Sequence, residues 1–130
     1  MTKPTRIFIS HVADDGSFAA DLKRALVDRG MDAWTFEDVA RDDESLDLAL
    51  RRALQKSHAY VAIVSDRALT SNWIPFEVGA ALSTGKNVLL VDRTTHDAAL
   101  PAPFSSFRTI QSKRGSASRA AEEIAHAVAA

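Results

Sequence analysis

Ala59-Tyr60-Val61-Ala62-Ile63-Val64-Ser65 carries no charge and is apolar at every position up to its closing serine. A run this short and rich in β-branched side chains reads as a strand buried on both faces, the mark of a parallel sheet covered by helices on either side. Asn87-Val88-Leu89-Leu90-Val91 reads the same way. Further strands are expected at Arg6 to Ser10, near Met31 to Thr35 and near Phe107 to Ile110. Between them lie three stripes with one spacing: Phe18, Leu22, Ala25, Leu26; Leu46, Leu50, Ala53, Leu54; and Ile74, Val78, Ala81, Leu82. Each follows i, i+4, i+7, i+8, so each is a helix with one face against the sheet. Strands alternating with helices predict an α/β domain, a flavodoxin-like three-layer α/β/α sandwich whose five-stranded parallel sheet has the order 2-1-3-4-5.

Boundary chemistry agrees. Gly30 and Gly85 stand where the first and third helices should stop, consistent with left-handed caps, and Ser116 can open a last helix with the stripe Ala117, Ala121, Ile124, Val128. Asp14 or Asp15 most simply caps the first helix. The segment Thr94 to Ser106, with Pro101 and Pro103, reads as a surface loop or a short broken helix.

The chain has 130 residues, 46% hydrophobic and 25% charged, which fits one domain spanning 1–130. A formal net charge of -1 with interspersed signs lacks the basic footprint of a nucleic-acid binder. There is no cysteine, and the four histidines show no ligand spacing, so no metal site is expected. Met1-Thr2-Lys3-Pro4 opens no apolar signal core, and no apolar run reaches membrane-spanning length. The expectation is a cytoplasmic protein without membrane or nucleic-acid partners. The acidic positions Glu37, Asp38, Asp42, Asp43 and Glu44 lack the spacing and glycine of a calcium loop and read as a solvated loop. Arg51, Arg52 and Lys56 read as the outer face of the second helix.

A site is expected beyond the carboxyl ends of the strands, where strand order reverses between the first and third. Ser10 and His11 arrive there from the first strand, Ser65 and Asp66 from the third. One loop further stands Ser71-Asn72-Trp73-Ile74-Pro75-Phe76-Glu77. With Asn72 as N-cap, Pro75 falls at the third helical position, where no intrahelical bond is lost. The spacing of Trp73 and Glu77 places an indole and a carboxylate on one helix face, about 100° around from the Ile74 stripe. On residue chemistry alone, packing anchor and ligand platform are equally good readings of this pair, and His11 reads first as a loop hydrogen-bonder.

These pieces resemble a TIR (Toll/interleukin-1 receptor) domain of the bacterial type. The resemblance rests on Ile7-Phe8-Ile9-Ser10-His11, Arg29-Gly30-Met31-Asp32-Ala33-Trp34, Val61-Ala62-Ile63-Val64-Ser65, Ser71-Asn72-Trp73 with Glu77, and Gly85-Lys86-Asn87-Val88, in that order. It departs from the family at Val12, Ala13, Asp43 and Leu46. The resemblance to the NAD-cleaving branch implies an NAD+ hydrolase, with Glu77 as the catalytic residue and NAD+ as substrate rather than cofactor. It further implies that Ser10 and His11 border the nucleotide, that Trp34 lines the nicotinamide site and that Trp73 stacks on a base. By the same resemblance, Phe36 to Glu44 controls access and self-association or contact with other TIR domains. A downstream effector would respond to the nucleotide product. Two rivals remain at this level: a TIR module that only assembles, and a phosphoacceptor receiver domain using Asp14, Asp15, Asp66, Thr94 and Lys113.

Overall fold

The computed structural model describes residues 4–39, 45–71, 79, 81, 85, 87–95, 99–102 and 104–129. Five parallel strands, β1 (Arg6–Ser10), β2 (Asp32–Thr35), β3 (Ala59–Val64), β4 (Asn87–Asp92) and β5 (Arg108–Gln111), form one sheet in the order β2-β1-β3-β4-β5. The helices described are α1 (Gly16–Asp28), α2 (Phe36–Val39), α3 (Leu46–Lys56), α4 (Asp66–Leu69) and α5 (Ala117–Ala129). The fold is the expected flavodoxin-like sandwich.

β3 shows why the sheet must be covered twice. All of its residues are buried, and they alternate between two cores. Val61 and Ile63 join Ile7, Ile9, Leu22, Leu26, Leu89, Val91 and Ile124 under α1 and α5. Tyr60, Ala62 and Val64 join Phe8, Leu50, Leu54, Leu90 and Phe104 under α3. Each large aliphatic or aromatic side chain taken wholly out of water contributes about 1.5–3 kcal/mol, which commits both faces of the strand. Phe8 and Tyr60, neighbours in the β1–β3 register, stack at 6.0 Å between ring centroids.

Several expectations shift by a residue or two for local reasons. β3 stops at Val64 because Ser65 turns to cap α4, its Oγ accepting the Ala68 N–H at 3.1 Å. β4 runs on to Asp92, which pairs with both Val64 and Gln111. β5 begins at Arg108, since the Phe107 N–H is spent closing the 3-10 turn Phe104–Ser106 on the Phe104 carbonyl. That turn lies in the segment expected as a surface loop or a short broken helix, and its Leu100 and Phe104 are anchored in the core.

α1 ends as predicted. Gly30 has φ 85°, its N–H reaches the Val27 carbonyl, and the Met31 N–H reaches that of Leu26 at 3.1 Å, a Schellman pair that satisfies two orphan carbonyls. Gly85 is likewise left-handed at φ 72°. The start of α1 corrects the sequence reading. Asp15 occupies the cap position, but a 3-10 turn at Ala13–Asp15 leads into the helix, and no side-chain cap bond forms. At α5 the expected cap is present, with Ser116 Oγ accepting the Arg119 N–H at 3.2 Å. The third predicted helix, Ile74 to Leu82, lies outside the described residues except Gly79 and Ala81, and Ala81 is buried in the α3-side core. No helix among the described residues is long and apolar enough to cross a membrane.

Candidate functional site

The carboxyl ends of β1 and β3 stand side by side, with Ser10 in register with Ala62. Ser10 is buried at 2% exposure and closes β1. His11 follows it with its side chain only 6% exposed, and both ring nitrogens face acceptors. Nδ1 lies 2.8 Å from the Val12 carbonyl oxygen, and Nε2 lies 3.3 Å from the Glu37 carboxylate. The histidine expected as a loop hydrogen-bonder is one, and its partner comes from the acidic run.

The described part of that run, Glu37 and Asp38, is exposed as expected, and both carboxylates are also bonded. Glu37 and Asp38 belong to α2, which begins as soon as β2 ends. Asp38 accepts the Thr35 N–H and the Lys23 ammonium, both at 2.8 Å. Burial pushes the Asp38 carboxyl up, but the Lys23 hydrogen bond, the Thr35 amide and the Lys23 charge outweigh it, and the group is held below the usual carboxylate range. Glu37 is also held low: burial raises it, and its own backbone N–H, the Thr35 hydroxyl and His11 together lower it further. His11, Gly16, Ala20, Lys23, Thr35, Glu37 and Asp38 line a hollow of about 280 Å³. Asp42, Asp43 and Glu44 lie outside the described residues.

Across the crevice, the loops after β1 and β3 are tied together. Ser65 Oγ donates to Asp15 Oδ2 at 2.5 Å, and Arg67 Nε lies 3.4 Å from Asp14 Oδ2. Asp66 in turn accepts the Thr95 N–H at 3.2 Å and its hydroxyl. The acidic side chains that could imitate a receiver pocket are therefore each committed to a neighbouring loop. Among the described residues no group of three or more His, Cys, Asp or Glu gathers to hold a metal.

Trp34 stands beside Phe8 in mid-β2, half-buried against the α3-side core, with the Arg6 guanidinium 5.6 Å from its ring centroid. Its Nε1 is buried and finds no acceptor among the described residues. The structure thus brings Ser10 and His11 together at the switch point, while Trp34 sits one strand away, level with Phe8. Trp73 and Glu77 lie outside the described residues. The chain is followed to Ser71, whose N–H bonds the Ala68 carbonyl at 3.0 Å, so the Ser71–Glu77 pattern starts from the carboxyl side of β3.

A second polar centre gathers Thr94 and Lys113, named above only for a receiver pocket, around a residue that sequence reading missed. Asp92, 2% exposed at the end of β4, accepts the Thr94 N–H at 2.9 Å and its hydroxyl at 2.7 Å, with Lys113 Nζ at 3.9 Å. Beside it the Arg93 guanidinium lies 3.8 Å from the Phe18 ring centroid and donates to the Ser112 and Gly115 carbonyls. The available signal was a charged pair following an apolar strand.

The comparisons with known proteins come out consistently. A family model described as TIR domain matches residues 7–127. Among solved structures, the TIR domain of the Toll-related receptor TRR-2 from Hydra magnipapillata superposes with a TM-score of 0.72 at 11% identity, over 83% of this chain and 84% of that one. A 2-deoxyribosyltransferase from the psychrotolerant bacterium Bacillus psychrosaccharolyticus superposes with a TM-score of 0.64 at 14% identity, over 83% of this chain and 87% of its own. At such identities the likeness is one of fold. No curated protein matches the chain.

Proposed function

The chain belongs to the TIR domain family, and on that premise we propose that it is an NAD+ hydrolase acting in signalling or defence, with Glu77 as its catalytic carboxylate. One observation carries the reading: Ser71, which opens the S-x-W-x-x-x-E pattern in the sequence, ends the turn that follows β3 and α4, and β3 lies next to the strand that delivers Ser10 and His11. Ligands of open parallel sheets bind at that reversal.

The chemistry asks for few groups. When the ribosyl C1′–N bond of NAD+ breaks, its electron pair passes to the nicotinamide ring, which departs neutral and needs no proton. What needs stabilising is the oxocarbenium-like ribose, and a carboxylate hydrogen-bonded to the ribose hydroxyls does that. Water then captures C1′ and loses a proton, giving ADP-ribose. Capture by a nucleophile of the same nucleotide gives a cyclic product instead. Ser10 and His11 border the nucleotide, Trp73 stacks on a base and Trp34 supports the nicotinamide end. The 2-deoxyribosyltransferase of the same fold is named for moving a deoxyribosyl group, so this scaffold is compatible with chemistry at a sugar's anomeric carbon.

The test is to incubate the assembled protein with NAD+ and follow nicotinamide release for the parent and for Glu77→Gln. Release by the parent and its loss in the variant are expected, with folding unchanged. Equal turnover by both removes Glu77 from the mechanism. A second reading, a TIR module that only assembles with other TIR domains, is favoured by the Asp15–Ser65 and Asp14–Arg67 links, which span the crevice mouth. No release from an assembled parent supports that reading.

A further inference from the structure

His11 is enclosed by acceptors. The Val12 carbonyl can only accept, so Nδ1 must donate to it, and the Glu37 carboxylate can only accept, so Nε2 must donate there too. A neutral imidazole carries one N–H and satisfies one of the two. The doubly protonated ring satisfies both. We propose that protonated His11 is a pH-responsive latch that fastens α2, the turn following β2, to the loop following β1.

The other charges around the pair have partners of their own, while the Glu37 side chain remains 66% exposed. Lys23 of α1 is bonded to Asp38 of α2 within the same hollow, Asp15 is engaged by Ser65, and Asp14 by Arg67. Glu37 is the carboxylate left facing the ring. It is held ionised through neutral pH, so protonation of His11 alone decides whether the contact is charged. Asp38 fixes the other half of α2 to Thr35 and Lys23, so opening the latch reorients the turn without releasing it. The latch is closed while the ring carries both protons and weakens when it loses one.

As a control on the crevice, the latch deepens the proposed function and rests on that reading. Its test does not use NAD+, so the two fail separately. Backbone amide resonances of Phe36–Val39 are followed by NMR from mildly acidic to alkaline solution, together with the His11 ring nitrogens. In the parent, the amides should shift with the same midpoint as the ring, and both ring nitrogens should carry protons at the acid end. Glu37→Gln should abolish the amide shifts, and His11→Gln should do the same with circular dichroism unchanged. Asp38→Asn should displace the amides at every pH and keep their pH dependence. Amides that stay flat in the parent, or titrate equally in Glu37→Gln, overturn the latch. A pH dependence that vanishes in Asp38→Asn but survives Glu37→Gln assigns it to the Lys23–Asp38 pair and also overturns it.

Discussion

Replacing Ser65 by alanine removes two bonds at the mouth of the crevice. One is the cap on α4, where Oγ accepts the Ala68 N–H, and loss of such a cap costs about 1 kcal/mol. The other is the bond donated to Asp15, and hydrogen bonds to charged groups contribute about 1.5–3 kcal/mol. Both residues are only half-buried, so water replaces part of the second term and the expected total is about 2 kcal/mol. Unfolding entropy of about 2.1 cal/mol/K per residue gives about 270 cal/mol/K for 130 residues, so the melting temperature should fall by about 7 °C. The cross-crevice part is isolated by a cycle of Ser65→Ala, Asp15→Ala and the double variant, with stability measured by urea denaturation. A coupling of about 1 kcal/mol is expected between the two positions. Strict additivity within about 0.3 kcal/mol would show that the Asp15–Ser65 bond does not hold the two loops together.

Trp73→Ala should weaken nucleotide binding by about 1–3 kcal/mol, the usual contribution of a base stacked on an aromatic ring, measured by calorimetry; unchanged affinity with intact fold returns Trp73 to packing. Activity should depend on self-association through Phe36 to Glu44: specific activity rises with protein concentration, falls with salt, and drops when Asp42 and Asp43 are changed to lysine. Constant activity per molecule over a wide dilution of a monomeric protein excludes this. In acid, Asp38 and Glu37 give the sign directly. Both carboxyls are held low in the folded state, so their contribution is present above the unfolded values and is lost as pH falls through the folded ones. Stability should decline below about pH 4, and Asp38→Asn should flatten that decline in an acid titration followed by circular dichroism.

What could be read from the sequence follows the range of the forces concerned. β3 and β4 were legible because burial on both faces leaves no polar position to hide, and the helix stripes because one face repeats with the helical period. Gly30 was legible because a left-handed cap requires a residue without Cβ. Asp15 was misread because helix capping is local, whereas its partner, Ser65, is fifty positions away. Glu37 and Asp38 are exposed, as the charge run suggests, but their partners Thr35, Lys23 and His11 were not legible, for the same reason. Ser45, which accepts the Leu48 N–H to start α3, carried a signal that was available, a serine directly before an apolar stripe. Ser10, His11 and Ser65 stand at the carboxyl ends of β1 and β3, a location legible from topology because the strand order decides which loops are neighbours.

The polar links between loops run in the order of the strands. Glu37 joins the β2 turn to the β1 loop, Asp14 and Asp15 join that loop to the one after β3, Asp66 joins it to the β4 loop, and Arg93 and Lys113 join that to the β5 loop. Such a series works like a row of couplings between carriages, each tying one loop only to the next. A molecule entering between β1 and β3 takes its place at an interior coupling. If it displaces Asp15 from Ser65, only the exposed Asp14–Arg67 pair still ties the two loops; if it bridges them, it takes over the lost link itself. The strands stay joined by their own ladder in either case, so occupancy of the crevice decides only whether the loops on its two sides are tied by the protein or by the bound molecule.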